Sequence, residues 1–312
     1  MNDALLVPID VVIDETMKTL DHHSHNVAAL SDAEVCTVAV VVAHAFGNHQ
    51  QRALDLRYRL GYLTTRLSPS RINQRLHALA AWLPPQAETV GTGVVQAHAA
   101  ISDVVIDNLP GPVCRRVRAR HCGKMRGRAY CGYCAANKEK IFGWRVHLVY
   151  TTSGVPVACA LLPASYHDLI PLHELLYGLP PDTWVYADKA DNSAPDEVSL
   201  PDDTGVHLVP IRKDNMIPHT TAERAGLRTF RTAIETVNSQ AEAMGMPRLR
   251  ARTKAGFDLR VWASVLALTA LPSTSNHGHM LRLGVQFGNN VEARTTFYVT
   301  IIDKGNDRVL CR

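Results

Sequence analysis

The chain has 312 residues, of which 46% are hydrophobic and 20% charged, a balance that excludes a disordered or fibrous protein. Its net charge of +4 is modest, and its apolar runs at 35–46 and 261–271 are too short to cross a bilayer. Seven cysteines, an odd number, together with Asp3 and Asp10 where an export signal would carry bases, predict a soluble cytoplasmic protein with reduced thiols and no membrane partner.

Residues 1–35 carry seven acids against one base. Ser31 and Glu34 fit a capping box, in which each side chain satisfies an orphan backbone N–H of the other. The apolar segment 35–46 behind them predicts a buried helix ended by Gly47. Ser68-Pro69 marks a second helix start, with Ile72, Leu76, Leu79 and Leu83 on one stripe and Pro84-Pro85 as its close. Arg52, Arg57, Arg59, Arg66, Arg71 and Arg75 fall in this stretch. Residues 1–95 therefore read as a helical N-terminal region: either a small DNA-binding module or a helical cap with a basic face.

Past residue 100 the period changes. "DVVIDNLPGPV" predicts a strand that stops after Asp107, at Asn108-Leu109-Pro110. "FGWRVHLVYTTSG" and "VPVACALLPAS" predict a hairpin turning at Ser153-Gly154, and a helix is expected over about 167–176. "TWVYADKA" and "GVHLVPIRK" predict two more strands, "RTAIETVNSQAEAM" a helix ended by Gly245 and Pro247, and 259–271 a last apolar helix. Strands first, then strands alternating with helices, make a mixed α/β sheet the natural class. Domain bounds are set at 100–271, with 272–312 as a C-terminal extension in which "RTTFYVTIID" is a strand without an evident partner.

Between 111 and 150 there are ten bases and a single acid, Glu139. Such an excess invites a polyanion, and nucleic acid is the commonest, since each cation that meets a phosphate releases condensed counterions. Arg115, Arg116, Arg118, Arg120, Lys124, Arg126 and Arg128 are the candidate DNA-backbone contacts. The same stretch holds Cys114, Cys122, Cys131 and Cys134, but only Cys131 and Cys134 have zinc-finger spacing, so buried or free thiols are the simpler reading.

Two apolar strands each deliver an aspartate, Asp107 and Asp188, to the kind of lip where α/β sheets build sites. Glu235 lies in a helix with Asn238 and Ser239 on its face. Three carboxylates on rigid elements suit Mg²⁺ or Mn²⁺, hard cations that take oxygen ligands and, as a pair, assist in-line phosphoryl displacement. Asp103, Asp168, Asp191 and Glu242 are rivals that spacing does not eliminate. No G-x-x-x-x-G-K, G-x-G-x-x-G or G-x-S-x-G is present, which argues against nucleotide hydrolysis and serine-hydrolase chemistry.

The blocks "VVIDNLPGPVC", "RGRAYCGYCAANKEKIFGWRVHLVYTTSGVPV", "LLPASYHD", "VYADKA", "VHLVPIRKDN", "IETVNSQ" and "RARTKAGFDLRVWASVLAL" occur in an order that resembles bacterial insertion-sequence transposases of the Asp-Asp-Glu type, in particular the insertion-sequence 982 family. The resemblance implies a ribonuclease H-like mixed sheet flanked by helices. It also implies that Asp107, Asp188 and Glu235 are the catalytic metal ligands, with two divalent ions as cofactor. Its substrates would be the element's terminal inverted repeats and target DNA, cut and rejoined by a homo-oligomer associated with the nucleoid. Lys189, Arg212 and Lys213 are candidates for phosphate contacts beside the carboxylates. Two alternatives remain: a related nuclease that does not join strands, and an inactive DNA-binding relic.

Overall fold

The computed structural model describes residues 3–63, 65, 67–97, 101–123, 125–134, 138–212, 216, 218–249, 251, 253–270, 280–284 and 298–302. The expected contacts Lys124 and Lys213, Arg66, and most of the extension at 272–312 lie outside the described residues. The chain divides into two compact units, one of residues 1–99, 243–245 and 255–312 and one of residues 100–242 and 246–254.

The first unit is mainly helical: α1 (Asp3–Thr19), α2 (Asp32–Phe46), α3 (Gln50–Arg59), α4 (Pro69–Ala78) and α5 (Leu83–Ala97). The capping box is formed as expected: Ser31 accepts from the Glu34 N–H at 3.0 Å, and Glu34 accepts from the Ser31 N–H at 2.6 Å. Gly47 ends α2 in the left-handed conformation, at φ 49°. Ser68 likewise caps α4. Pro84-Pro85 does not close a helix; it opens α5, because in a first turn the missing proline N–H has no partner to lose. The helix α1 was not anticipated from its acidic sequence.

In the second unit β1 (Asp103–Arg115) is followed by β2 (Cys131–Cys134), β3 (Glu139–Thr151), β4 (Pro156–Pro163), α6 (Leu172–Leu176), β5 (Trp184–Ala187), α7 (Ala194–Thr204), β6 (His207–Pro210) and α8 (Thr221–Ala243). The sheet runs β2-β3-β1-β5-β6, with β4 also on β3. β1, β3 and β4 are antiparallel neighbours, whereas β5 and β6 run parallel to β1. It is thus a mixed sheet, and the β3–β4 hairpin turns where expected, with Gly154 at φ 86°.

One expectation is corrected. β1 does not end at Asp107 but continues through Pro110 and Pro112 to Arg115, paired with β3 apart from a bulge at Val113. The β5 ladder stops at Val105, so past that point one edge of β1 is uncovered and a proline there removes an N–H that no neighbouring strand needs. The helix expected at 167–176 shrinks to α6, with turns before it. α8 begins ten residues earlier than "RTAIETV" suggested. The helix α9 (Lys254–Ala270), almost wholly buried, groups with the first unit, as do β7 (Met280–Gly284) and β8 (Tyr298–Ile302). β7 and β8 pair with each other, so the last predicted strand has a partner.

Candidate functional site

Register determines what stands beside Asp107. Val105 of β1 pairs with Tyr186 of β5 in parallel. Two residues further along come Asp107, on the same face of β1 as Val105, and Asp188, just past the end of β5 in extended backbone; the charge of Asp188 acts on Asp107. α8 packs on that face: Gly226 lies so close to the Tyr186 ring that any side-chain carbon there would collide with it. The loop carrying Asp188 is pinned by Asn192, whose amide donates to the carbonyls of Lys189 at 3.0 Å and Ile211 at 2.8 Å.

Four aspartates share this end of the sheet. Asp107 is half-buried, and burial is the main reason its carboxyl is pushed up to about 7; the charges of Asp188 and Asp168 add to the effect. Asp191, 3% exposed, is also pushed up to about 7, first by burial and then by Asp168, Asp188 and Asp107. Like charges gathered in a partly desolvated place disfavour ionisation. Asp168 is itself buried and accepts from Arg145 Nη1 at 2.5 Å. His147 of β3, 2% exposed, has its Nε2 without a hydrogen-bond partner among the described residues. Burial pushes its ring down to about 4 despite the nearby Asp168, so it is neutral at pH 7. Tyr150 pairs with Val105 and so lies diagonal to Asp107; burial and then the Asp107 charge hold its phenol in the neutral form.

Of the rival acids, Asp168 and Asp191 therefore stand with Asp107 and Asp188. Asp103 is engaged elsewhere, accepting from the Tyr186 hydroxyl at 2.8 Å. Glu235 is exposed on α8, on the side opposite the buried stripe of Ala233, Val237 and Ala241. Strand periodicity could not have picked out Asp168 and Asp191, because both lie in turns. The usable signal was their closeness in sequence to a lip residue or to the end of the β3–β4 hairpin. Among the described residues, no three His, Cys, Asp or Glu side chains are gathered as a ready metal cluster.

The candidate DNA contacts divide. Arg115, Arg116, Arg118, Arg120, Arg126 and Arg128 are all exposed, and Arg115 is 2.8 Å from Glu139. Lys189 is exposed beside Asp188. Arg212 is held by both oxygens of Glu197, at 2.7 and 2.5 Å, and so is not an open phosphate ligand. Among the described residues no helix is long and apolar enough to cross a membrane.

The site thus combines carboxylates on and beside adjacent strands of a mixed sheet with an exposed arginine-rich segment. Comparison with known families places it: the family model described as Transposase DDE domain matches residues 104–270, more than half of the chain, and the chain belongs to that family. No curated protein and no solved structure matches it.

Proposed function

We propose that the chain is a DNA transposase that cleaves and rejoins strands at the terminal inverted repeats of an insertion sequence, through a ribonuclease H-like domain. The observation that carries this reading is the closeness of Asp107 on β1 to Asp188 just past β5, the strand parallel to it, within a chain of the transposase DDE family. The donors fit Mg²⁺ or Mn²⁺: they are all carboxylate oxygens, and their mutual repulsion is of the kind a hard cation relieves.

Asp107 and Asp188 would hold the cations, with Asp168 and Asp191 beside them; Glu235, the third carboxylate that the family resemblance implies, is exposed on the side of α8 opposite its buried stripe. A divalent pair bound there supplies charge against the phosphoryl-transfer transition state and lowers the pKa of attacking water. Asp107 would arrive partly protonated near neutral pH and release that proton on binding. β1 carries Asp107, the end of β5 presents Asp188, and Asn192 ties down the turn that follows Asp188. The exposed arginines at 115–128 would track the backbone of the duplex, and Lys189 would meet phosphate beside the site. Assembly as a homo-oligomer on paired element ends, and kinship with the insertion-sequence 982 family, belong to the same proposal. Glu235 faces away from the helix stripe that packs on the sheet, so its substitution separates the three-carboxylate arrangement from one completed by Asp168 or Asp191.

The test is Mg²⁺-dependent cutting and joining of a duplex taken from the DNA flanking the coding region. Asp107→Ala and Asp188→Ala should each abolish cleavage while leaving duplex binding largely intact. Cutting retained by either variant refutes the assignment. Cutting without joining marks a nuclease, and binding without cutting by the unaltered chain marks a relic.

A further inference from the structure

A cleft of about 450 Å³ opens in the sheet unit, with Asp168 among its lining residues. Its walls combine cations with aromatic faces. Arg116 and Lys140, both exposed, line it, and so do Tyr133 at 51% and Tyr166 at 41% exposure. Large aromatic side chains left this open cost hydrophobic free energy, and two around one cleft make a surface on which a flat ring can stack. The floor is closely fitted. Gly132 of β2 meets the Ala164 backbone and Cβ so tightly that a side chain there would collide. Ser165 donates to the Ala129 carbonyl at 3.0 Å, which holds the Tyr166 turn against the segment leading into β2.

The cleft is also wired to the carboxylate end of the sheet. Arg145 donates from Nη2 to the Tyr133 carbonyl at 3.3 Å and from Nη1 to Asp168. Asp168 lines the cleft, and its charge is felt by Asp107 and Asp191. Of the four aspartates Asp168 alone lines the cleft, so a ligand there would meet the carboxylate group at Asp168.

We propose that this cleft seats one unpaired nucleotide of the DNA strand, its base against Tyr133 and Tyr166 and its phosphate against Arg116 and Lys140. The inference rests on the DNA-processing reading above and adds a subsite to it. Duplex bases are already stacked on one another, so only a nucleotide taken out of the helix can offer its ring to a tyrosine. Stacking of this kind tolerates any base, because every base has a π face. The seat would thus grip a strand without reading its sequence.

The test uses the full-length protein and a fluorescently labelled single-stranded oligothymidylate, with a duplex of equal length as the second probe. Tyr133→Ala and Tyr166→Ala should each weaken oligothymidylate binding by roughly 5- to 100-fold, the loss of one stacked base, and leave duplex binding within about twofold. Tyr133→Phe and Tyr166→Phe keep the ring and should bind as the unaltered chain does. Arg116→Ala with Lys140→Ala should lower the salt dependence of oligothymidylate binding. Tyrosine-to-alanine variants that bind oligothymidylate unchanged overturn the proposal. The two readings fail separately. Unchanged binding alongside persistent Mg²⁺-dependent cleavage removes only the seat, whereas tyrosine-dependent binding without any cleavage removes only the transposase reaction.

Discussion

Arginine meets opposite surroundings in the two units. In the helical unit Arg57 is 2% exposed, donates to the Glu34 carbonyl at 3.2 Å and has Asp10 at 3.8 Å. Arg75 donates to Asp32 at 2.5 Å and to the Leu30 carbonyl at 2.8 Å. These side chains fasten helices together, and the acids of the N-terminal stretch compensate them. In the sheet unit Arg116, Arg118, Arg120, Arg126 and Arg128 stand exposed in short turns where Glu139 is the only acid of the segment. A count of bases therefore misplaces a DNA-binding face; what marks it is charge that the fold leaves uncompensated.

That contrast can be broken by substitution. Arg57→Ala should cost the fold on the order of 3 kcal/mol, because it opens a cavity and orphans buried polar groups. Urea unfolding measures it, and the salt slope of DNA binding should not change; a reduced slope would put Arg57 on the DNA. Replacing Arg115, Arg116, Arg118 and Arg120 together by alanine should do the reverse. Unfolding should shift little, while the slope of log affinity against log salt falls by about 0.9 for each phosphate contact removed. An unchanged slope excludes the segment from the interface.

Asp191→Asn sharpens the account of the carboxylates. Its folded pKa of about 7 lies above the ordinary value of 3.8, so the fold favours the neutral acid. That stabilisation is complete below about pH 4 and is lost as pH rises through 7. In the absence of divalent ions the unaltered chain should lose stability over that window. The asparagine variant should have a flatter profile and be more stable at pH 8, by on the order of 1–2 kcal/mol. A steeper profile in the variant would contradict the like-charge grouping. The smallest effect is expected for Glu139→Ala, which removes an exposed pair with Arg115 worth less than about 1 kcal/mol and should slightly steepen the salt dependence.

Much of this architecture was legible in local sequence. The Ser31 and Glu34 cap, the β3–β4 hairpin at Gly154, the strands β5 and β6 and the body of α8 all follow from periodicity and turn chemistry. The strand carrying Asp107 was legible, but its length was not. Pro110, Gly111 and Pro112 look like a stop until one knows that β5 leaves that edge uncovered. The same limit applies to the acids. Asp107 and Asp188 announce themselves by the apolar runs that precede them, whereas Asp168 and Asp191 are gathered by turns whose path is a tertiary matter. The face on which Glu235 lies was hidden for a similar reason, since the buried stripe of Ala233, Val237 and Ala241 is built mostly of small residues. Arg57 and Arg212 looked like free cations because their partners are distant in sequence.

The central claim is that Asp107 and Asp188 share a hard divalent cation, and calorimetric titration of Mn²⁺ into the metal-free protein at pH 6.5 tests it without DNA. Run in two buffers of different ionisation enthalpy, the titration should show saturable binding with proton release from Asp107, and both should be lost in Asp107→Asn and in Asp188→Asn. Variants that bind Mn²⁺ as tightly as the unaltered chain, with the same proton release, would contradict the account.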